Sequence, residues 1–119
     1  MDTFEIFLSP TAQKDLNDIQ EYISFELLSP RLGKRYVLSI LEEIKKLTYL
    51  ADSYAVITEE PWSSYGIRKR LAKKFFIYYY CKTNNNSVHI LRVVYAKRDQ
   101  KRILNQLGFV NNVPDEPIE

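Results

Sequence analysis

Lysine, arginine and tyrosine are the residue types in this chain that could do chemistry, and they gather in one stretch. Residues 68–102 hold eleven Lys/Arg against a single acid, Asp99, a local charge of +10. Residues 1–67 carry −5 and residues 103–119 carry −3, so the net charge of +2 conceals a segregated distribution. Clustered cations concentrate a field that a mixed surface would cancel, which suits a phosphate-rich or acidic partner; the plainer reading is a solvated basic surface. RNA can be cut without a metal because its own 2′-OH is the nucleophile. The protein then has to accept that proton, neutralise the phosphate and protonate the leaving oxygen. Cations aimed at the phosphate supply the electrostatic part, and a Lys or Tyr serves as acid or base where neighbouring charge shifts its pKa. Arg68 and Arg70 share one face of a strand, while Lys69 and Lys73 share the other with Ile67 and Leu71. Arg92 lies on a later strand, with Tyr95, Lys97 and Arg98 at its exit, and Lys74 and Lys101 extend the basic set. The expectation is one continuous positive surface.

Other chemistries lack their residues. There is one His, one Cys, no helix with paired histidines and no cluster of carboxylates, so no metal site is expected. The serines have no nucleophile-elbow context, and three glycines argue against a Gly-rich phosphate loop. Hydrolases of the triad or metal type are excluded on these grounds, and no cofactor is implied. His89 reads as a satisfied sheet-face histidine and Cys81 as a buried structural thiol in a reducing compartment. Tyr78, Tyr79 and Tyr80 offer faces on which bases could stack, although a Tyr-rich strand more often packs a core. The longest apolar runs, such as residues 75–81, fall far short of the ~20 residues that span a bilayer, and no signal segment opens the chain. The expected location is the cytoplasm, without membrane attachment.

The elements that must position these groups can be read from periodicity. A chain of 119 residues fits one domain, expected over residues 1–109, with a loosely ordered acidic tail at 110–119. Residues 3–8 alternate as a strand, and Ser9-Pro10 then starts a helix whose apolar stripe runs through Ala12, Leu16, Ile19, Ile23 and Leu27. Ser29-Pro30 starts a second, with its stripe at Leu32, Tyr36, Ile40, Ile44, Leu47 and Ala51, and the short link folds the two into an antiparallel hairpin. Residues 52–66 are a connection with Trp62 as a plug over the core edge. Three strands follow at 67–73, 75–82 and 88–95, the last two apolar on both faces and therefore central. Asp99 caps a short final helix with Ile103, Leu104 and Leu107 inward. The expected fold is α+β: an antiparallel sheet, the hairpin packed on one face, a short C-terminal helix, and an exposed opposite face carrying the charge.

The segment from Leu8 through Ser9, Pro10 and Thr11 to Leu16, with Ile19, Tyr22 and Ile23 after it, resembles the opening of RelE/ParE toxins. These toxins belong to type II toxin–antitoxin systems of the plasmid-stabilisation type. Gly66-Ile67-Arg68-Lys69, Phe76-Ile77-Tyr78-Tyr79 and the run from Ile90 through Arg92 and Tyr95 to Asp99 resemble later signatures, so the likeness spans about residues 4–107. The resemblance implies a cognate antitoxin that wraps the toxin with helical segments. RelE-like members cut mRNA on the ribosome without a metal; ParE-like members poison DNA gyrase and need no nuclease site. By position, Lys69 matches a basic site on the second strand and Arg98 the basic residue after the last strand. This chain has Phe75-Phe76 where the nucleases place an arginine, and Leu104 where they place a C-terminal tyrosine, for which Tyr95 would substitute. The resulting expectation is an mRNA endonuclease with Lys69, Tyr95 and Arg98 catalytic. Arg68, Arg70, Lys73, Lys74, Arg92, Lys97 and Lys101 would hold the substrate. The alternatives are a gyrase poison and a non-toxic basic nucleic-acid-binding module.

Overall fold

The computed structural model describes residues 3–107; the domain end at residue 109 and the expected acidic tail lie outside the described residues. Strand β1 (Glu5–Leu8) leads into helix α1 (Pro10–Glu26), and α2 (Pro30–Lys45) follows. Both helices begin as their Ser-Pro pairs require. Ser9 Oγ accepts the Ala12 N–H at 3.0 Å and Ser29 Oγ accepts that of Leu32 at 3.2 Å, satisfying donors that would otherwise be orphaned. Gly33 marks the crossing of the two helices: a Cβ there would lie 1.9 Å from Ser24 Oγ and 2.7 Å from the Gln20 carbonyl oxygen.

The second helix ends at Lys45 instead of continuing to Ala51. A single turn, α3 (Leu47–Leu50), and a 3-10 turn (Ala51–Ser53) complete the run, with Leu47 and Ala51 still buried at their stripe positions. The bend frees the Thr48 carbonyl from helical pairing, and it accepts the Phe4 N–H at 2.8 Å.

Strands β2 (Arg68–Ala72), β3 (Phe75–Lys82) and β4 (Ser87–Tyr95) precede α4 (Gln100–Asn105), and the sheet order is β1-β4-β3-β2. The three later strands are antiparallel, whereas β1 runs parallel to β4 with Ile6 opposite Val88, so the sheet is mixed and not wholly antiparallel. The hairpin is what makes this possible, because it carries the chain across one face from one edge strand to the other. Tyr78 pairs with Arg92 and Tyr79 with Ile90, which leaves Leu91 as a bulge in β4.

Leu16, Ile19, Ile40 and Ile44 pack on Ile77, Tyr79, Ile90 and Val93 to make the helix-side core. The opposite face is not the exposed, charged surface expected from the sequence. Ile57, Trp62 and Ile67 of the connection, with Ile103 and Leu104 of α4 and Leu107, cover Tyr78, Tyr80, Leu91 and Val94. Two strands apolar on both sides need cover on both sides, and Trp62, 3% exposed, is the plug on the second.

Candidate functional site

The basic residues divide by what they touch. On the helix side of β2, Arg68 donates to the carbonyls of Tyr54 and Asp52, while Arg70 pairs with Glu43 of α2 at 3.1 Å and lies over the Tyr54 ring. On the other side, Lys69 sits 4.4 Å from the centre of the Phe76 ring and lines a small cleft beside Glu59. The bulge in β4 directs Arg92 to Asp15 of α1, whose carboxylate accepts Nε at 2.7 Å, Nη2 at 3.1 Å and the Val93 N–H at 2.9 Å. All four side chains are half-buried, and the three arginines are tied into the fold by hydrogen bonds.

Lys73, Lys74, Lys97, Arg98 and Lys101 are exposed instead, around the β2–β3 turn and the exit of β4. The Ala96 N–H donates to the Lys74 carbonyl at 2.8 Å and the Arg98 N–H to that of Tyr95 at 3.0 Å, so turn and exit are tied at one end of the sheet. The expected single surface is therefore split into an exposed cationic rim and a set of internal ties.

Beside that rim runs a groove of about 670 Å³. Its α1 wall presents Asp15, Asp18, Tyr22, Glu26 and Leu27, and its floor presents Phe75, Val93 and Tyr95. Lys74 and Arg98 stand at the sheet end. The hairpin tip next to it is strongly apolar: Tyr22 is 61% exposed, Phe25 75% and Leu28 88%. Leu28 also adopts φ 51°, a left-handed conformation that costs a non-glycine residue about 1 kcal/mol. An exposed apolar patch on a capped, tightly crossed hairpin marks a surface for another protein.

The three residues expected to be catalytic are not all brought together. Tyr95 is paired with Phe75 and faces the helix side, where it lines the groove with Arg98. Lys69 is paired with Tyr78 and faces the opposite side of the sheet. The tyrosine triplet is buried, so it does not present stacking faces: Tyr79 donates to the Ala51 carbonyl at 2.7 Å and Tyr78 to Gln100 at 2.6 Å. Burial pushes the Tyr78 phenol up to about 12 and raises that of Tyr79 as well. His89 lies between the rings of Phe7 and Tyr80 with Nε2 2.9 Å from Ser87 Oγ, a sheet histidine as expected. Cys81 is half-buried, and desolvation raises its thiol pKa. Among the described residues no group of three His, Cys, Asp or Glu side chains could hold a metal ion, and no helix is long and apolar enough to cross a membrane.

Sequence reasoning missed Asp15, Gln100 and the hairpin tip. The tip alone left a signal, since Phe25 and Leu28 are large apolar residues off the buried stripe.

Solved structures share this fold, two of them from toxin–antitoxin pairs. The chain is 22% identical to one chain of "Chromosomal ParDE TA system from P. aeruginosa", covering 80% of this chain and 98% of that one at a TM-score of 0.67. It is 17% identical to a chain of the toxin–antitoxin complex RelBE2 from Mycobacterium tuberculosis, covering 78% and 98% at a TM-score of 0.57. No curated protein matches the chain. The sequence profile of the family described as "ParE toxin of type II toxin-antitoxin system, parDE" matches residues 6–100. With most of the chain inside that match, it belongs to the ParE toxin family of type II toxin–antitoxin systems.

Proposed function

We propose that this chain is the growth-inhibiting half of a toxin–antitoxin pair, that it works in the cytoplasm, and that it acts by binding DNA gyrase and not by cutting RNA. One observation carries the choice of target: Lys69 faces the other side of the sheet from Tyr95 and Arg98. Metal-free RNA cleavage needs its acid, base and phosphate-stabilising groups around one scissile bond, and groups divided by a sheet cannot meet there. Binding a protein target asks only for an exposed surface, which the cationic rim supplies. The groove beside it suits an amphipathic segment of a cognate antitoxin, in keeping with the two similar solved structures, a ParDE toxin–antitoxin system and the toxin–antitoxin complex RelBE2.

Tyr95, Arg98 and Lys74 do line one groove, and that favours the second reading, a ribosome-dependent mRNA endonuclease working without Lys69. A supercoiling assay run beside mapping of mRNA 5′ ends on toxin-treated ribosomes, with and without EDTA, separates the two. Inhibited supercoiling with intact mRNA is expected; new 5′ ends that persist in EDTA, with supercoiling normal, would transfer the assignment to the nuclease.

A further inference from the structure

Gln100 opens α4 and makes more hydrogen bonds than a helix start requires. Its Nε2 lies 2.7 Å from the Arg98 carbonyl oxygen, 3.1 Å from that of Tyr95 and 3.2 Å from that of Ala96. An amide NH₂ has two protons, so three carbonyls share them and the loop is drawn around one nitrogen. The other end of the amide is fixed too. Its Oε1 accepts the Tyr78 hydroxyl at 2.6 Å, and Tyr78 is 1% exposed in the central strand β3. The three carbonyl oxygens can only accept, so the NH₂ must face the loop, and Oε1 is left to accept the Tyr78 hydroxyl. Helix capping does not account for these contacts, because Asp99 already accepts the Arg102 N–H at 3.2 Å.

We propose that Gln100 is the positioning residue of this toxin: through the Tyr95–Ala96–Lys97–Arg98 loop it holds Arg98 at the groove rim, with Tyr78 tying it to the sheet. The proposal rests on the reading that the exposed cationic rim engages the target. Bare loop carbonyls facing water would leave Lys97 and Arg98 a range of directions. A fixed amide holds them in one, and preorganised charge is worth more than mobile charge.

The test uses the full chain as Gln100→Leu, which keeps length and removes the donors, and as Gln100→Glu, which places only acceptors against three carbonyls. Tyr78→Phe, which keeps the ring and removes the hydroxyl, is the milder variant. Amide exchange at Ala96 and Arg98 should accelerate about tenfold or more in both Gln100 variants and less in Tyr78→Phe, with β3 amides unchanged. Growth inhibition per molecule should fall about tenfold or more. Because Gln100 acts through Arg98, Gln100→Leu should add nothing in an Arg98→Ala background. A merely structural role would lower activity in both backgrounds alike, and losses that multiply in the double variant would overturn the proposal, as would unchanged exchange at Ala96 and Arg98. If Arg98→Ala alone leaves growth inhibition intact, the reading of the rim fails; the exchange rates then still decide whether Gln100 holds the loop.

Discussion

Arg92 and Arg98 carry the same charge a few residues apart, and their surroundings give them opposite work. Arg92 is half-buried and makes two hydrogen bonds to Asp15, 77 residues away in sequence, so it joins a helix to the sheet. Removing one member strands the other. Asp15→Ala leaves a guanidinium and the Val93 N–H unsatisfied and should lower unfolding free energy by about 2–3 kcal/mol, measured by denaturant titration. Arg98 is exposed, so Arg98→Ala should shift stability by less than about 0.5 kcal/mol while weakening growth inhibition about tenfold or more, with a measurable remainder. Equal stability losses in the two variants would remove the distinction. The buried phenols give a second expectation. Tyr78 ionises near 12 in the folded chain against an ordinary 10.0, and Tyr79 is raised in the same direction, both chiefly by burial. A raised folded pKa contributes stability that is whole below pH 10 and lost as pH climbs through the folded value, so the chain should unfold progressively above pH 10. Tyr78→Phe should shallow that alkaline limb. Sequence reasoning found the basic residues but could not separate internal ties from surface groups, since Asp15 and Glu43 meet their arginines only through the tertiary fold.

At the scale of elements, what is written locally was legible and what depends on distant contacts was not. Both Ser-Pro helix starts, the apolar stripes and the Asp99 cap are local signals, and each element begins where those residues put it. The end of α2 at Lys45 has no such signal; beyond it the Thr48 carbonyl pairs with the Phe4 N–H, a contact between residues far apart in sequence. The parallel pairing of β1 is likewise a choice of partner strand, invisible in the alternation of residues 3–8. Gly33 lies between these cases. Its place in a strongly patterned helix gave no reason for a glycine, whereas the crossing leaves no room for a Cβ against Ser24 Oγ and the Gln20 carbonyl. The backbone oxygen cannot swing aside, so Gly33→Ala should push the helices apart and cost about 1–3 kcal/mol, despite alanine's better helix propensity. A thermal midpoint equal to or above that of the parent chain would show that the crossing relaxes.

For the whole molecule, the decisive feature is that both faces of the sheet carry apolar cover, so the rim, the groove and the hairpin tip, and not a bare sheet face, are the surfaces the proposal gives to partners. Strands β3 and β4 read as apolar on both sides, yet the opposite face is expected from the sequence to be exposed, because the connection around Trp62 lacks periodicity and hides the source of the second layer. The groove then holds two kinds of surface side by side. On α1 and at its C-cap, Tyr22 and Leu27 are large and open to solvent, and tyrosine is among the side chains that most often dominate the affinity of an interface. At the sheet end, Lys74 and Arg98 are rim charges, which affect encounter more than residence. Substitutions on the two sides should therefore dissociate the two proposed activities. Tyr22→Ala with Leu27→Ala should weaken antitoxin binding by about 10- to 100-fold, the loss expected where the pair anchors the interface and its truncation costs about 1.4–2.8 kcal/mol in all. Toxicity of the free chain should remain, so co-expressed antitoxin would no longer restore growth. Arg98→Ala should do the reverse, sparing the complex while growth without antitoxin recovers in large part. Titration of each variant with purified antitoxin, beside growth curves with and without it, gives both readouts. An antitoxin affinity unchanged by the Tyr22 and Leu27 substitutions would place the antitoxin elsewhere and leave the groove without its proposed occupant.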